Sequence, residues 1–284
     1  MSKVDLHIHS TASDGRHRPQ EIVRKAVELG LEVIALADHD SIDGIAPAIE
    51  EARKLKQPQL IPGVEVSTDV PRGEVHILGY FIDYTSKELA AALERFRHSR
   101  ESRAQGMVAK LAGLGVNISW ERVREIAGSG AVGRPHIARA MLEKGYIGTI
   151  KEAFDKYIAR DGPAYVEREK LTPVEAVQLI LRNRGVAVMA HPFTVPEPEA
   201  LIVELKAAGM AGIEAYYNGY ANEEIGALLA LAKNHGLMVT GGTDYHGLDE
   251  SNETLIGGVE VPMAAVDGLI ARAEPKMLKL AYLK

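Results

Sequence analysis

The chain predicts an α/β fold, built either as a parallel barrel or as a doubly wound sheet. Three observations carry that expectation. Strand and helix periodicities alternate along most of the 284 residues. Val33-Ile34-Ala35-Leu36-Ala37 is a continuous apolar run between two helical patterns, which is how a buried parallel strand reads. The residues able to do chemistry fall at the C-terminal ends of strand patterns, where both architectures gather their sites.

The elements follow in order. In Val4-Asp5-Leu6-His7-Ile8-His9-Ser10, apolar Val4, Leu6 and Ile8 alternate with Asp5, His7 and His9. Both imidazoles should therefore project from one face of a strand. Pro19 to Gly30 has helical spacing, with Pro near its start and Gly at its end. The strand Val33 to Ala37 runs into Asp38-His39-Asp40, and a helix follows from Asp43 to Lys56. Leu60 to Val66, with Glu65 near its end, and Val75 to Ile82 read as strands. A long helix then starts near Ser86 and runs towards Gly115.

From about residue 100 to 169 the alternation breaks. Short helical patterns, a Gly-rich turn at Gly128-Ser129-Gly130 and little strand signal predict an inserted helical cap subdomain over 100–169. Residues 1–99 and 170–284 form the main domain. Its rhythm resumes with helix Thr172 to Arg184, strand Val186 to Ala190 capped by His191, and helix Pro198 to Ala208. Strand Gly212 to Tyr217 and helix Asn222 to Gly236 come next. Strand Met238 to Gly241 leads to Asp244 and His246, followed by a short strand Gly258 to Val261 and a last helix.

Composition narrows the chemistry. No cysteine is present, which removes disulfides, thiolate nucleophiles and Cys-ligated zinc or iron–sulfur clusters. Any metal must be held by nitrogen and oxygen. The net charge of −6 gives no bulk basic field for long duplex nucleic acid, although bound cations can supply positive charge locally. No apolar run approaches the roughly 20 residues of a membrane helix. The His pair begins almost at once, so no secretion signal is expected and a cytoplasmic enzyme is.

The candidate ligands are His7, His9, Asp14, His39, Glu65, His76, His191, Asp244 and His246. Nine are too many for one ion, and mixed imidazole and carboxylate donors suit manganese, zinc or ferrous iron. Two or three ions sharing a carboxylate would use them all, with Glu65 as the natural bridge. Asp38 and Asp40 either orient these ligands or cap the next helix. Glu214 is expected at the surface or behind the ligands, and Tyr216-Tyr217 either line the pocket or pack the barrel. His17 lies in a loop beside the site, while His98 and His235 read as helix-surface residues.

The strings His7-Ile8-His9, Asp14-Gly15, Ala37-Asp38-His39-Asp40, Gly63-Val64-Glu65, His76, Ala190-His191-Pro192 and Gly242-Thr243-Asp244-Tyr245-His246 resemble the PHP (polymerase and histidinol phosphatase) family of metal-dependent phosphoesterases. The resemblance spans almost the whole chain in the family's motif order. It implies a distorted (β/α)7 barrel and two or three divalent ions, manganese first, with zinc or iron as alternatives. His7, His9, Glu65 and Asp244 would hold the first ion, Glu65, His76 and His191 the second, and Asp14, His39 and His246 the third. Glu65, Asp244 and His246 would be the catalytic residues, with a water made nucleophilic between the ions.

Within the family the chain looks closest to stand-alone members that act as 3′,5′-nucleotide bisphosphate phosphatases or as 5′-to-3′ exonucleases on short RNA. Gly133-Arg134-Pro135-His136-Ile137-Ala138-Arg139, Phe154-Asp155-Lys156-Tyr157-Ile158 and Gly162-Pro163-Ala164-Tyr165-Val166 are similar to their substrate-capping segment. Arg134 is the expected phosphate clamp, since guanidinium matches phosphate oxygens bidentately, with His136 beside it. Two departures stand out. Asp161-Gly162, with Arg160 one step earlier, replaces a Lys, so Arg160 is a third candidate contact, and Phe193-Thr194 replaces Gly-Arg after His191-Pro192. The expected substrate is a small phosphorylated molecule, a nucleotide or short oligonucleotide. Histidinol phosphate phosphatase and a catalytically silent metal-bound scaffold are the rival readings.

Overall fold

The computed structural model describes residues 2–70, 74–128, 132–167, 171–248 and 254–283. Seven strands form one sheet in sequence order: β1 (Val4–Ile8), β2 (Val33–Leu36), β3 (Gln59–Asp69), β4 (Glu74–Tyr80), β5 (Val186–Met189), β6 (Gly212–Tyr217) and β7 (Met238–Gly242). A backbone bridge between Ile8 and Tyr245, with the His9 N–H donating to the Tyr245 carbonyl at 2.9 Å, draws the last strand to the first. The result is the nearly closed seven-stranded barrel expected for this fold class.

One strand is reversed. β4 pairs antiparallel with both β3 and β5, while the other pairings are parallel. The expectation of an all-parallel sheet fails here for a simple reason. Only four residues separate β3 from β4, and a parallel return needs a crossover of a dozen or more. The reversal has a consequence for the site. The start of β4, where His76 lies, sits at the same mouth as the C-terminal ends of its neighbours, and His76 pairs with Ser67 near the end of β3.

Helices cover the parallel strands: α1 (Pro19–Glu28) and α2 (Ile45–Leu55) follow β1 and β2. The second compact unit, Ala92–Lys170, starts inside the long helix α3 (Lys87–Gly113) and adds α4 (Trp120–Ala127), α5 (Arg134–Glu143) and α6 (Ile150–Ala153), which runs on as a π-helical turn, Phe154–Ile158. It has its own core around Met107, Leu111, Val123, Ile137 and Met141, and no strand among its described residues. Of the expected Gly-rich turn, Ser129 and Gly130 lie outside the described residues. Met1–Ala91 and Leu171–Lys284 make the first unit. It continues with α7 (Pro173–Arg182), α8 (Pro198–Ala207), α9 (Asn222–Asn234), α10 (Met263–Ile270) and α11 (Pro275–Leu278).

Two expectations near the C-terminus are corrected. Residues 258–261 are not a strand. Val261 and the chain start meet through the Ser2 hydroxyl, which bonds both the Val261 carbonyl and its N–H at 3.2 Å, so a side chain stands where a ladder would need backbone. The last helix is two helices, because Pro275 has no N–H to continue the first and is suited to start the second.

The barrel floor is apolar, filled by Val4, Leu6, Val33, Ala35, Ile61, Leu78, Tyr80, Val186 and Val188. Above it the polar groups begin, and a β-bulge makes the change on β1. Asp5 pairs with Ile34 but Ile8 pairs with Leu36, so one extra residue is accommodated between them. The bulge lets Leu6 stay in the core while His7 and His9 both turn to the mouth; bulges commonly re-aim side chains beside active sites. Asp5, fully buried, ties the seam. It accepts from the Thr243 N–H (3.0 Å), the Thr243 hydroxyl (2.7 Å) and the Gly257 N–H (2.8 Å). Across the seam Gly242 has no room for a side chain, because a Cβ there would collide with the His7 backbone nitrogen and Cβ. Gly242→Ala should therefore lower stability by about 1–3 kcal/mol, the usual range for overpacking. A fall in the urea midpoint at unchanged slope would show it, and an unchanged midpoint would show that the seam yields.

Candidate metal centre

All nine expected ligands lie at one mouth of the barrel. His7 and His9 come from the end of β1 and Asp14 from the loop after it. His39 follows β2 and bridges to Glu65 of β3. His76 opens β4, His191 follows β5, and Asp244 and His246 follow β7. Three groups have ligand atoms within 4.8 Å of one another: His7, His9, Glu65 and Asp244; His9, Asp14, His39 and His246; and His39, Glu65 and His76. The first is the set expected for one ion. The second is the expected third set with His9 added. In the last, His39 stands where His191 was expected, yet His191 Nε2 is also 3.1 Å from Glu65 Oε1.

Glu65 is at the centre and is wholly buried. Its Oε1 lies 2.9 Å from His76 Nδ1, and its Oε2 lies 2.9 Å from His39 Nδ1, 3.3 Å from His9 Nε2 and 3.4 Å from His7 Nε2. Asp244 Oδ1 is 2.9 Å from His9 Nε2 and 3.3 Å from His7 Nε2. Yet His7 Nε2, His9 Nε2, His39 Nδ1, Glu65 Oε2, Asp14 Oδ1 and Asp244 Oδ1 make no hydrogen bond. Six buried polar atoms without hydrogen bonds, aimed at a common volume, are costly unless something else satisfies them. Hard or borderline divalent cations fit this nitrogen and oxygen donor set.

The charges respond to this crowding. Burial alone would push the Glu65 carboxyl up, but the imidazoles of His39, His76 and His7 hold it well below the usual carboxylate range. Asp244 and Asp14 are held low in the same way, by His7 and by His39 and His246 respectively. Burial pushes the His246 imidazole down, but the Asp14 carboxylate overrides it and lifts it to about 10. His7 is likewise raised against its burial, by Glu214, Asp244 and Glu65.

Behind the ligands lies a second tier. Glu214 is fully buried in β6, which realises the second of its two expected places, behind the ligands rather than at the surface. It accepts from His7 Nδ1 at 3.0 Å and from the His191 N–H at 2.9 Å, leaving His7 Nε2 free to face the mouth. Asp38 caps no helix. It accepts from the Ser10 N–H (2.7 Å) and from the hydroxyls of Ser10 (2.8 Å) and Ser13 (2.7 Å), fixing the loop after His9. Asp40 accepts from the Ser67 N–H at 3.0 Å, and the N-cap of α2 is Gly44. His246 Nδ1 donates to the Asp244 carbonyl at 2.8 Å. The tyrosine pair divides: Tyr216 packs on the barrel floor, while the Tyr217 hydroxyl donates to Asp244 Oδ2 at 2.9 Å. His17 stacks parallel on Tyr245, His98 is exposed on α3 beside Glu94, and His235 at the end of α9 pairs with Glu199.

The expected substrate residues lie in the second unit. Arg134 opens α5 with its guanidinium 5.5 Å from the Phe154 ring centre. His136 is buried and its Nδ1 accepts from the Gly133 N–H at 2.9 Å, so one ring nitrogen has a structural role. Arg160 pairs with Glu167 at 3.5 Å. Two further arginines of this unit were not singled out from the sequence. Arg100 and Arg103, three apart on α3, are both buried, and a Cβ on Gly133 would come within 4.0 Å of the Arg100 guanidinium. Their helical spacing, which puts both on one face, was the available signal.

A nearly closed barrel with this mouth defines a class, the phosphate-ester hydrolases that use divalent metals. The PHP domain family matches residues 5–159, and the chain belongs to it. It is 33% identical over 255 residues to the 3′,5′-nucleoside bisphosphate phosphatase of Chromobacterium violaceum, covering 88% of this chain and 89% of that one. It is 36% identical over 248 residues to a 5′-3′ exoribonuclease of Haemophilus influenzae, covering 86% and 90%. Among solved structures, an amidohydrolase from Chromobacterium violaceum with bound sulfate superposes with a TM-score of 0.86 at 31% identity, over 96% of this chain and 98% of that one.

Because imidazole protons must leave before those nitrogens can bind a cation, metal uptake should release protons and tighten as pH rises. Calorimetry of manganese binding in two buffers of different ionisation enthalpy should give different apparent heats. Equal heats in both buffers would show that the ligands are already deprotonated.

Proposed function

We propose that this protein hydrolyses phosphate monoesters of nucleotides, either 3′,5′-bisphosphates or the 5′ ends of short RNA. The observation that carries the reading is the convergence of three carboxylates and six imidazoles on one mouth. The names of the relatives above support the nucleotide part. When bound, divalent ions lower the pKa of water and polarise phosphoryl oxygens.

The chain's own residues divide the remaining work. His7, His9, Glu65 and Asp244 would hold one ion, Glu65, His76 and His191 a second, and Asp14, His39 and His246 a third. Glu65 is the shared ligand, since its two oxygens face different imidazoles. Glu214 and Asp5 keep His7 and the Asp244 loop in register. His246 would present Nε2, 3.3 Å from Asp14, to the third ion, with Nδ1 committed to the Asp244 carbonyl. Arg134 would clamp a phosphate, with His136 two residues on and the buried Arg100 and Arg103 on the same helical unit. Arg160 contributes only by leaving its partly exposed pair with Glu167, which costs little.

The test is phosphate release by manganese-loaded protein. Adenosine 3′,5′-bisphosphate should be turned over faster than 5′-AMP or histidinol phosphate. Arg134→Ala should lower kcat/KM for the bisphosphate by roughly thirtyfold, the equivalent of about 2 kcal/mol for a charge-assisted contact. Preference for histidinol phosphate, or equal turnover by Arg134→Ala, would overturn the nucleotide reading.

A further inference from the structure

From the metal ligands, a run of aromatic rings leads outward across the barrel mouth, and its outer two members, Phe193 and Tyr220, lie outside the ligand set. It begins at His191, whose backbone φ of 29° lies in the left-handed region. The chain then makes a short 3₁₀ turn, Pro192–Thr194, which holds Phe193 outward while Pro192 and Val195 on either side are buried. Phe193 is exposed, at 37%, like ten other large apolar residues among those described.

A lone exposed phenylalanine would mean nothing. This one is held in place. Its backbone N–H donates to the Tyr220 hydroxyl at 3.0 Å, and its ring centre lies 5.4 Å from that of Tyr220. Tyr220 lies 5.0 Å from Tyr217, and Tyr217 lies 5.3 Å from His191. Tyr217 in turn donates to Asp244. Both phenol groups are therefore spent on fixing rings rather than on solvent. Successive rings are inclined at 56–60°, so they do not cover one another's faces as parallel stacking would. The run leads in ring-sized steps from two candidate metal ligands to the outer edge of the mouth. A phosphate held at the metal ligands would leave whatever lies across its sugar beside these rings.

We propose that Phe193, Tyr220 and Tyr217 form a ledge that stacks the heterocyclic base of a nucleotide whose phosphate occupies the mouth. The ledge deepens the phosphoesterase reading and rests on it for the position of the phosphate. Stacking on aromatic side chains tolerates any base, because every base offers a flat π-face. The ledge therefore selects for the presence of a base and not for its identity.

The experiment compares adenosine 3′,5′-bisphosphate with its abasic counterpart, which carries hydrogen in place of adenine. Metal-loaded wild type, Phe193→Ala and Phe193→Trp are assayed for phosphate release and for binding by calorimetry. Phe193→Ala should raise KM and Kd for the adenine compound about tenfold, the scale of one base–aromatic stack, with kcat unchanged. Values for the abasic compound should not move, and Phe193→Trp should restore the adenine values. Equal affinity of wild type for the two compounds, or equal losses on both in Phe193→Ala, would overturn the ledge. Absence of turnover of either compound would instead overturn the phosphoesterase reading. Calorimetry would still decide the ledge in that case, because base-dependent binding lost in Phe193→Ala supports it and base-independent binding removes it.

Discussion

The structure depends on one arrangement, a carboxylate buried at the top of the barrel with five imidazoles around it. Glu65 has no exposure to water, and His7, His9, His39, His76 and His191 all place a ring nitrogen within 3.4 Å of it. A buried carboxylate is tolerable only if opposing charge and hydrogen bonds surround it. The five imidazoles arrive from the ends of β1, β2, β4 and β5. To bring them together the chain reverses β4, bulges β1 and bends β5 sharply at His191. Each of these is a departure from a regular parallel barrel, and each delivers a nitrogen to Glu65.

The same demand explains the tier behind the ligands. An imidazole facing a cation must present a lone pair, and its other nitrogen needs a partner to fix the ring. Glu214 provides that for His7, and the Asp244 carbonyl provides it for His246. Asp38 and Asp5 act on backbone instead, one on the loop after His9 and the other on the seam where β7 meets β1. Together these groups account for much of the acid buried in the barrel of a chain whose net charge is −6.

Much of this was legible in the sequence, because barrel ligands sit at the ends of strands and strand ends are marked by a change from apolar runs to polar residues. His7, His9, His39, Glu65, His191, Asp244 and His246 all follow that rule. His76 obeyed it only through the reversal of β4, which periodicity does not report, since a strand reads the same in either direction. For Glu214 the sequence left two places open, the surface or behind the ligands, because its partners lie 207 and 23 residues away and no local pattern reports them. The strand expected at 258–261 failed because a serine hydroxyl replaced a backbone ladder. Arg100 and Arg103 were hidden in a long helix, where arginine is ordinarily solvated. Local patterns report the strand ends well, whereas long-range partners decide the acids and buried cations.

Backbone strain shows where the fold yields to the site. Among the described residues seven non-glycines have positive φ, and three of them, Asp40, His191 and Asp244, lie in the loops of the mouth. Such conformations cost about 1–3 kcal/mol each and persist only when their surroundings over-determine them. The surroundings here do so. Asp40 is held by its N–H on the Glu65 carbonyl and by its carboxylate on Ser67, His191 by its N–H on Glu214, and Asp244 by contacts from Tyr217 and His246. At His191 and Asp244 the strained residue is itself a candidate ligand, and at Asp40 it is the neighbour of one. Rigidity is therefore concentrated where donor atoms must stay apart from one another yet point inward, a geometry that like-charged carboxylates and crowded imidazoles would otherwise relax away. The apolar floor beneath supplies the stability that this tension consumes.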